Sequence, residues 1–504
     1  MHKIGKQLAR HGHRVTELRY PLTESVAAIA TPSEFTRMDF TWGREPARVR
    51  ALSDYIDSWA WMDQDTMGDV IKLIVQNSIL NPDLPNLINR WMDTSKLLIE
   101  PCLELHHTAR LRQELVDNNF TMAIMDPVAF PCAWVLLNHL RIPYLLVSNF
   151  VEFYELDHSS GVPVPFSYVS ASFGTTTDHM SFIQRVVNVP MHYLLDIVHS
   201  VILLPLANAL AGQFTSPIIS DTECRPMATL VNGQRFFDDF AKPVALSLTT
   251  FNLAGNGHAQ RIGDDLTNFI DDPRSLGTIV LSMSTTTTSS TMTPNFQRSF
   301  IRAFSQFPNY RFVWRMDGHS VCNASSECGH IRTYTWIPQH ALLSHPKTKV
   351  LITHGGINSI IEALSHSIPM IAIPMFGDQF PNAARLEARG VGKMLQKNEI
   401  DHLPDALTEV LRNARYRHRA SKVQRMIADQ TQLPHFRDSS VYWIEFVGRH
   451  KRQAHRIMPN GHRLGHVTYF CLDVTALLFA IILVLFSFTK TVRICVKSLL
   501  QMIA

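Results

Sequence analysis

Cysteine, charge and runs of one sign are scarce in this chain. Seven cysteines among 504 residues are too few for a disulfide scaffold. They form no CxxC pair and no zinc-ligand spacing, so no structural metal is expected. Cys322 and Cys328 are spaced to close a small loop in an oxidising lumen, and are equally suited to stay two thiols. Charged residues make up 18%, below the roughly 25% of an average globular chain. The 47 basic and 43 acidic residues leave a formal net charge of +4. No Lys/Arg block is long enough for a nucleic-acid arm, which excludes nucleic acid as the expected partner. An apolar run is also missing at the start. MHKIGKQLARHGHRVTELRYP lacks the core of about 7–15 apolar residues that a secretory signal needs. There are no repeats, and the only biased tract is the run SMSTTTTSS from Ser282.

What is present is apolar. The 46% apolar share permits large buried cores and excludes a disordered or collagen-like chain. The length fits two or three domains of about 100–200 residues. Mean hydropathy is essentially zero, high for a soluble protein and low for a polytopic one. Much of it comes from Val474–Thr489 (VTALLFAIILVLFSFT), which has no charge. Extended back to Val467, the run gains only Asp473 as a charge and reaches the roughly 20 residues that span a bilayer. A membrane helix over 467–489 is expected, with Asp473 at the interface; the alternative is a buried core helix. Lys490, Arg493 and Lys497 follow it, and Arg456 and Arg463 precede it, a slight bias toward a cytosolic tail. Nearly the whole chain would then lie across the membrane and must be translocated. Either the protein is tail-anchored and cytosolic, or its beginning is absent from this sequence. The sequons at Asn119 and Asn323 would be used only in the secretory pathway.

The C-terminal half alternates β-rich and helical runs. Thr278–Ser282, Tyr310–Trp314, Ile331–Trp336, Val350–Thr353 and Met370–Pro374 are expected strands. Pro294–Phe307, with Phe296, Phe300, Ile301 and Phe304 at helical spacing, is an expected helix, as are Asn358–His366 and Gln379–Arg389. Such alternation implies parallel strands with crossover helices, a doubly wound α/β domain that binds ligands at its strand carboxyl ends. The first half is a fainter version. A helix runs through Ile4 and Leu8, strands lie at Arg14–Leu18, Thr121–Met125 and Pro143–Ser148, and a helix at Ala133–Leu140. A boundary is expected between Ser247 and Leu276, where FNLAGNGHAQRIGDD is loop-like.

The chemistry concentrates between Trp336 and Gln379. The strand ending at Thr353 runs into His354-Gly355-Gly356, and a helix opens at Asn358 or Ser359. The glycines let backbone approach an anion closely, and the helix N-terminus supplies N–H groups and a positive dipole end, which suits a diphosphate. Asn358 or Ser359 is placed to cap that helix. His354 can give a hydrogen bond or charge to the same phosphates. Glu362, one turn in, is placed to accept from vicinal ribose hydroxyls. Trp336 offers a flat face for a base and Gln339 an amide edge. Asp378-Gln379 follow the next strand, an acid–amide pair suited to sugar hydroxyls. Each element alone is weak: a lone His-Gly-Gly is more often a turn, and a lone Trp more often core. The ordered set is specific.

This stretch of 44 residues resembles, without a gap, the signature of the UDP-glycosyltransferases, membrane-bound animal enzymes that conjugate small lipophilic molecules. Phe312-Val-Trp-Arg315 is similar to the family's preceding strand, and Val441-Tyr-Trp-Ile-Glu-Phe-Val and Leu472-Asp-Val to its return helix and membrane helix. Asp126-Pro-Val-Ala-Phe-Pro-Cys132 is similar to the motif carrying the catalytic Asp, and His11-Gly12-His13 to the family's Gly-His strand entry.

The resemblance implies a GT-B fold, two Rossmann-like domains facing a cleft, with one C-terminal transmembrane helix. The implied layout is an acceptor domain over 1–250, a linker over 251–275 and a UDP-sugar domain over 276–440. A return helix over 441–466, a membrane helix over 467–489 and a basic cytosolic tail over 490–504 complete it. Trp336 and Gln339 would hold the nucleoside, His354, Gly355 and Asn358 the diphosphate, Glu362 the ribose, and Asp378 and Gln379 the sugar. Ser282, Thr285, Arg315, Thr353, Gly356 and Ser359 would complete the donor site. UDP-glucose or UDP-glucuronate would be a co-substrate, with no cofactor and no metal. A small lipophilic acceptor would be glycosylated by an inverting route at the endoplasmic reticulum membrane, the body lumenal. A homo- or hetero-oligomer is left open. The acceptor site would lie in the first half, where the apolar stretch Met191–Leu204 is expected as core, or else as pocket wall.

Three departures stand out. The family's catalytic His precedes Gly-His by a helix, a place that falls a few residues before Met1. His2 is the nearest substitute but would sit inside a helix. A truncated start would explain the absent signal, first strand and base together; the rival is a product that has lost its base and binds UDP-sugar or a partner glycosyltransferase without turnover. The family's Ser-x-Gly-Ser/Thr loop reads Ser282-Met-Ser284-Thr285, with Ser284 crowding the backbone. Ser367 replaces a Gly expected to cap a helix C-terminus.

Overall fold

The computed structural model describes residues 2–19, 32–39, 109–125, 136–137, 140–148, 162, 164–171, 174–198, 226–232, 242–243, 248–251, 261–283, 292–316, 329–375, 377–432, 439–450, 466–469 and 471–503. Asp126–Cys132, Ser284, Thr285, Cys322, Asn323 and Cys328 lie outside them, as does most of the expected helix at 133–140.

In the first half, β1 (Thr16–Arg19) and β2 (Thr36–Asp39) pair in parallel. A second parallel sheet joins β3 (Ala123–Met125), β4 (Tyr144–Ser148), β5 (Thr229–Asn232) and β6 (Leu248–Phe251) in that order. β4 reads YLLVS and is buried throughout, as a strand covered on both faces must be. Its core gathers Leu145, Val147 and Leu230 with Ile4 and Leu8 of the helix His2–Arg10. Val441, Ile444 and Val447 of the helix Ser439–His450 close the same cluster. At its edge, Glu445 meets the rings of His13 at 3.1 Å and His11 at 3.4 Å.

The helix Phe182–Val198 covers the start of the stretch Met191–Leu204, whose described side chains are those of Met191–Leu194, and there Tyr193 and Leu194 are exposed where core, or else pocket wall, was expected. Its polarity is inverted. Asn188 and His192 are buried and hydrogen-bonded to the backbone at Ala171, Phe166 and Val169. Phe182, Ile183, Val186, Val187, Tyr193 and Leu194 are exposed. Buried amide and imidazole groups that satisfy a neighbouring loop turn the apolar side outward.

The second half is a six-stranded, all-parallel sheet. Its strands are β7 (Gly277–Ser282), β8 (Tyr310–Arg315), β9 (Ile331–Tyr334), β10 (Thr348–Thr353), β11 (Met370–Ala372) and β12 (Gly392–Met394). The order is β12-β11-β10-β7-β8-β9. β7 is buried at every position, so it reads as a continuous apolar run. One face carries Phe300 and Phe304 of the helix Pro294–Ser305, packed on Phe312 and Trp314. The other carries Ile360 and Leu364 against Val280 and Leu351. From β7 the chain winds outward one way through β8 and β9 and the other way through β10 to β12. The reversal between β7 and β10 is the switch point at which such sheets bind ligands.

The helix Leu472–Ile503 includes a 22-residue stretch, Leu472–Arg493, with mean hydropathy 2.4 and none of its most apolar window buried. By length and composition it is sufficient to cross a membrane, and it is not a core helix of this structure.

Candidate active site

Ser282 and Thr353 are register partners at the carboxyl ends of β7 and β10, so the switch point falls between them. His354, Gly355 and Gly356 leave β10 there. Gly355 has φ +88°, and a side chain on it would meet the Gln379 carbonyl oxygen at 3.0 Å. A Cβ on Gly356 would lie 2.4 Å from His354 Nε2. Two glycines are therefore needed for the turn and the close packing, and they bring bare backbone to the strand end. The Gly355 N–H donates to Thr353 Oγ1 at 3.3 Å, which pins the start of the loop.

The next helix runs Ile357–Ser365, and Gly356 is its N-cap with no side-chain cap. This corrects the expected cap at Asn358 or Ser359: both sit within the first turn. The uncapped end presents its first-turn N–H groups and dipole at the switch point. Glu362 lies one turn into the helix, as expected. It accepts from Gln339 Nε2 at 2.9 Å, and Ser359 Oγ accepts from the same amide at 3.2 Å. Gln339 heads the helix Gln339–Ser344, so its amide ties that helix start to the first and second turns of Ile357–Ser365.

Trp336 is 61% exposed, against the expectation for a lone tryptophan. The Arg315 guanidinium sits 5.0 Å from the centre of its ring, and Arg315 Nε donates to the Thr335 carbonyl at 3.5 Å. A buried cation thus steadies an exposed indole.

His354 is held near neutrality. Burial depresses its pKa to about 4, the Arg315 charge adds to this, and a hydrogen bond to the Ser282 backbone opposes it. At neutral pH the ring is a neutral hydrogen-bonding group, which favours the hydrogen bond over the charge as what it offers an anion. Asp378 shows the opposite response. Burial raises its carboxyl to about 6, while a hydrogen bond from Asn382 and the charge of Arg385 pull it down. Gln379 is buried, and its Oε1 accepts from the Met375 N–H at 2.9 Å. Its amide oxygen is therefore committed to the backbone, and Asp378 is the more accessible member of the pair.

Ser282, Arg315, Trp336, Gln339, Thr353, His354, Gly355, Gly356, Asn358, Ser359, Glu362, Asp378 and Gln379 all fall on this one edge. Asp126 and Thr285 lie outside the described residues. His2 opens the helix His2–Arg10 and is not at a strand end. Sequence reasoning stopped at Gln379 and missed Asn382 and Arg385. The signal was available: both fall at helical spacing from Asp378, on the same face as the apolar Leu386.

The model of the UDP-glucoronosyl and UDP-glucosyl transferase family matches residues 1–504. The chain is 28% identical to UDP-glucuronosyltransferase 2B17 of Mus musculus, over 98% of this chain and 89% of that one. It is likewise 28% identical to UDP-glucuronosyltransferase 2C1 of Oryctolagus cuniculus, over 94% and 91%. Among solved structures, the glycotransferase of kitacinnamycin superposes with a TM-score of 0.56 at 17% identity, covering 91% of this chain and 95% of that one. Os79 from O. sativa, solved in complex with UDP, gives 0.53 at 15% identity, covering 88% and 96%. These likenesses establish the GT-B fold. The chain belongs to the UDP-glucoronosyl and UDP-glucosyl transferase family.

Proposed function

We propose that this chain transfers a hexose or hexuronic acid from a UDP-sugar to a hydroxyl of a small lipophilic acceptor, with inversion and without a metal or cofactor. The observation that carries the reading is the convergence at one switch point of an exposed Trp336, the Gln339–Glu362 pair and the glycine turn at an uncapped helix start. Uracil stacks on Trp336, with Arg315 behind the indole. Glu362, held by Gln339, accepts from the ribose hydroxyls. The diphosphate takes first-turn N–H groups of Ile357–Ser365 and a hydrogen bond from neutral His354, and Asp378 accepts from the sugar. The negative charge that grows on the leaving diphosphate meets a helix dipole and fixed donors, which is electrostatic stabilisation that needs no ion. The acceptor proton would go to the family's histidine base, whose place by the motif falls before Met1, with Asp126 orienting it.

The apolar helix Leu472–Arg493 fits a single-pass anchor in the endoplasmic reticulum membrane, with the body lumenal and a short basic cytosolic tail. The test is UDP release by the purified full-length protein with a broad acceptor panel. Turnover that disappears in Asp126→Asn and in Glu362→Ala supports the reading. UDP binding without turnover on any acceptor would instead favour a chain that holds UDP-sugar or a partner glycosyltransferase.

A further inference from the structure

The helix Gln379–Ala388 carries Asn382 and Arg385 on its inner face, at 3% and 2% exposure. Burying an amide and a guanidinium is costly unless hydrogen bonds repay it. Asn382 spends its amide on the two elements that frame the edge. Its Nδ2 donates to the Gly355 carbonyl at 3.0 Å and to Asp378 Oδ2 at 2.9 Å. Arg385 donates to Asn382 Oδ1 at 2.6 Å. An arginine is donor-only, so this contact dictates which end of the amide points at Gly355 and Asp378. A primary amide is the group that serves here. Alanine or leucine donates nothing, and aspartate would set a second carboxylate against Asp378.

We infer that Asn382, oriented by Arg385, is a positioning residue that ties the glycine turn to the Asp378 carboxylate, so that the diphosphate and the donor sugar are held in one fixed relation. This rests on the donor-site reading above. The Gly355 carbonyl belongs to a backbone with positive φ, and the Asn382 bond opposes rotation of that peptide, which would disturb the N–H groups beside it. At the other end, the same amide both aims Asp378 and favours its ionised form; Arg385 is the charge acting on that carboxylate. The relay serves geometry, and touches no reacting atom.

The experiment measures binding of UDP, UDP-glucose and UDP-glucuronate to the full-length protein from pH 5.5 to 8.5, with thermal unfolding in parallel. Asn382→Ala is expected to weaken the preferred UDP-sugar roughly tenfold to a hundredfold, the loss of a hydrogen bond to a charged group. UDP alone, which lacks the sugar, weakens less. The pH below which UDP-sugar affinity falls moves upward, because Asp378 loses the donor that favours its charge. Arg385→Met shifts the same quantities in the same direction and by less. If Asn382→Ala does not fold, Asn382→Ser, which keeps one donor, carries the same expectations at reduced size. Unchanged affinity and pH profile overturn the inference. So does an equal loss for UDP and UDP-sugar that tracks the fall in melting temperature with no pH shift, since that marks a merely structural role. Wild-type protein that binds neither UDP nor a UDP-sugar overturns the donor-site reading itself, and does so before any variant is made.

Discussion

The six-stranded sheet is covered on both faces by side chains of its own half: Phe300, Phe304 and Trp314 on one side, Ile360, Leu364 and Leu351 on the other. The sheet around β4 and β5 is closed differently. Val441, Ile444 and Val447 reach it from the far end of the chain, and Glu445 clasps His11 and His13 at the rim. The first arrangement makes the candidate donor site a property of one contiguous segment. The second makes the first half dependent on a helix that follows the second. Binding of the donor and integrity of the first half should therefore be separable by mutation.

The largest effect is expected from Phe304→Ala, which empties a fully buried aromatic stack on Phe312 and Trp314. It should cost about 3–5 kcal/mol in denaturant unfolding and abolish UDP binding with it. Ile444→Ala removes a buried residue from the shared cluster and should cost about 2–4 kcal/mol. Here the expected sharpening is that UDP affinity, titrated in native buffer, is retained while protease susceptibility of the first half rises. A parallel collapse of UDP affinity would break the comparison.

A subtler contrast concerns pH. His354 has its folded pKa depressed to about 4 against an ordinary 6.5, so it contributes stability above pH 6.5 that is lost as pH falls toward 4. Asp378 is raised to about 6 from 3.8, so its contribution is complete below about pH 4 and is lost as pH rises through 6. The two oppose each other between pH 4 and 6. His354→Gln should flatten the acid limb of a melting-temperature profile, and Asp378→Asn should steepen it. In the first half, the His13 hydrogen bond holds the Glu445 carboxyl below its usual range, so the carboxylate's contribution to that clasp is lost on acidification.

The smallest expected effect is at Ser367. It follows the helix Ile357–Ser365 with φ 59°, and its N–H and that of Ile368 bond back to the Leu364 and Ala363 carbonyls. This is a Schellman ending that favours glycine, as its sequence position suggests. Ser367→Gly should raise stability by about 1 kcal/mol, read as a higher melting temperature, with donor affinity unchanged.

Much of the second half was legible because its signals are local. Runs such as TIVLS and VLIT are long enough in apolar, β-branched residues to announce buried parallel strands, and the Gly-Gly turn announces a close backbone approach. The helix start was misplaced by one or two residues, because Gly356 caps it without a side chain and composition favoured Asn358 or Ser359. The exposure of Tyr193 and Leu194 was not legible, because an apolar stretch looks like core when the loop that claims the polar residues of its helix is out of view.

By itself, the sequence determined the α/β class of fold and the apolar C-terminal helix through composition and spacing along the chain, and the signature with its strand-end residues through resemblance to the family. Tertiary structure alone decided the protonation of His354 and Asp378, the commitment of Gln379 to the backbone, the Arg315–Trp336 contact and the Asn382 relay. These depend on burial and on which groups face one another across neighbouring elements. Desolvation and hydrogen-bond geometry are properties of space, and spacing along a chain does not contain them.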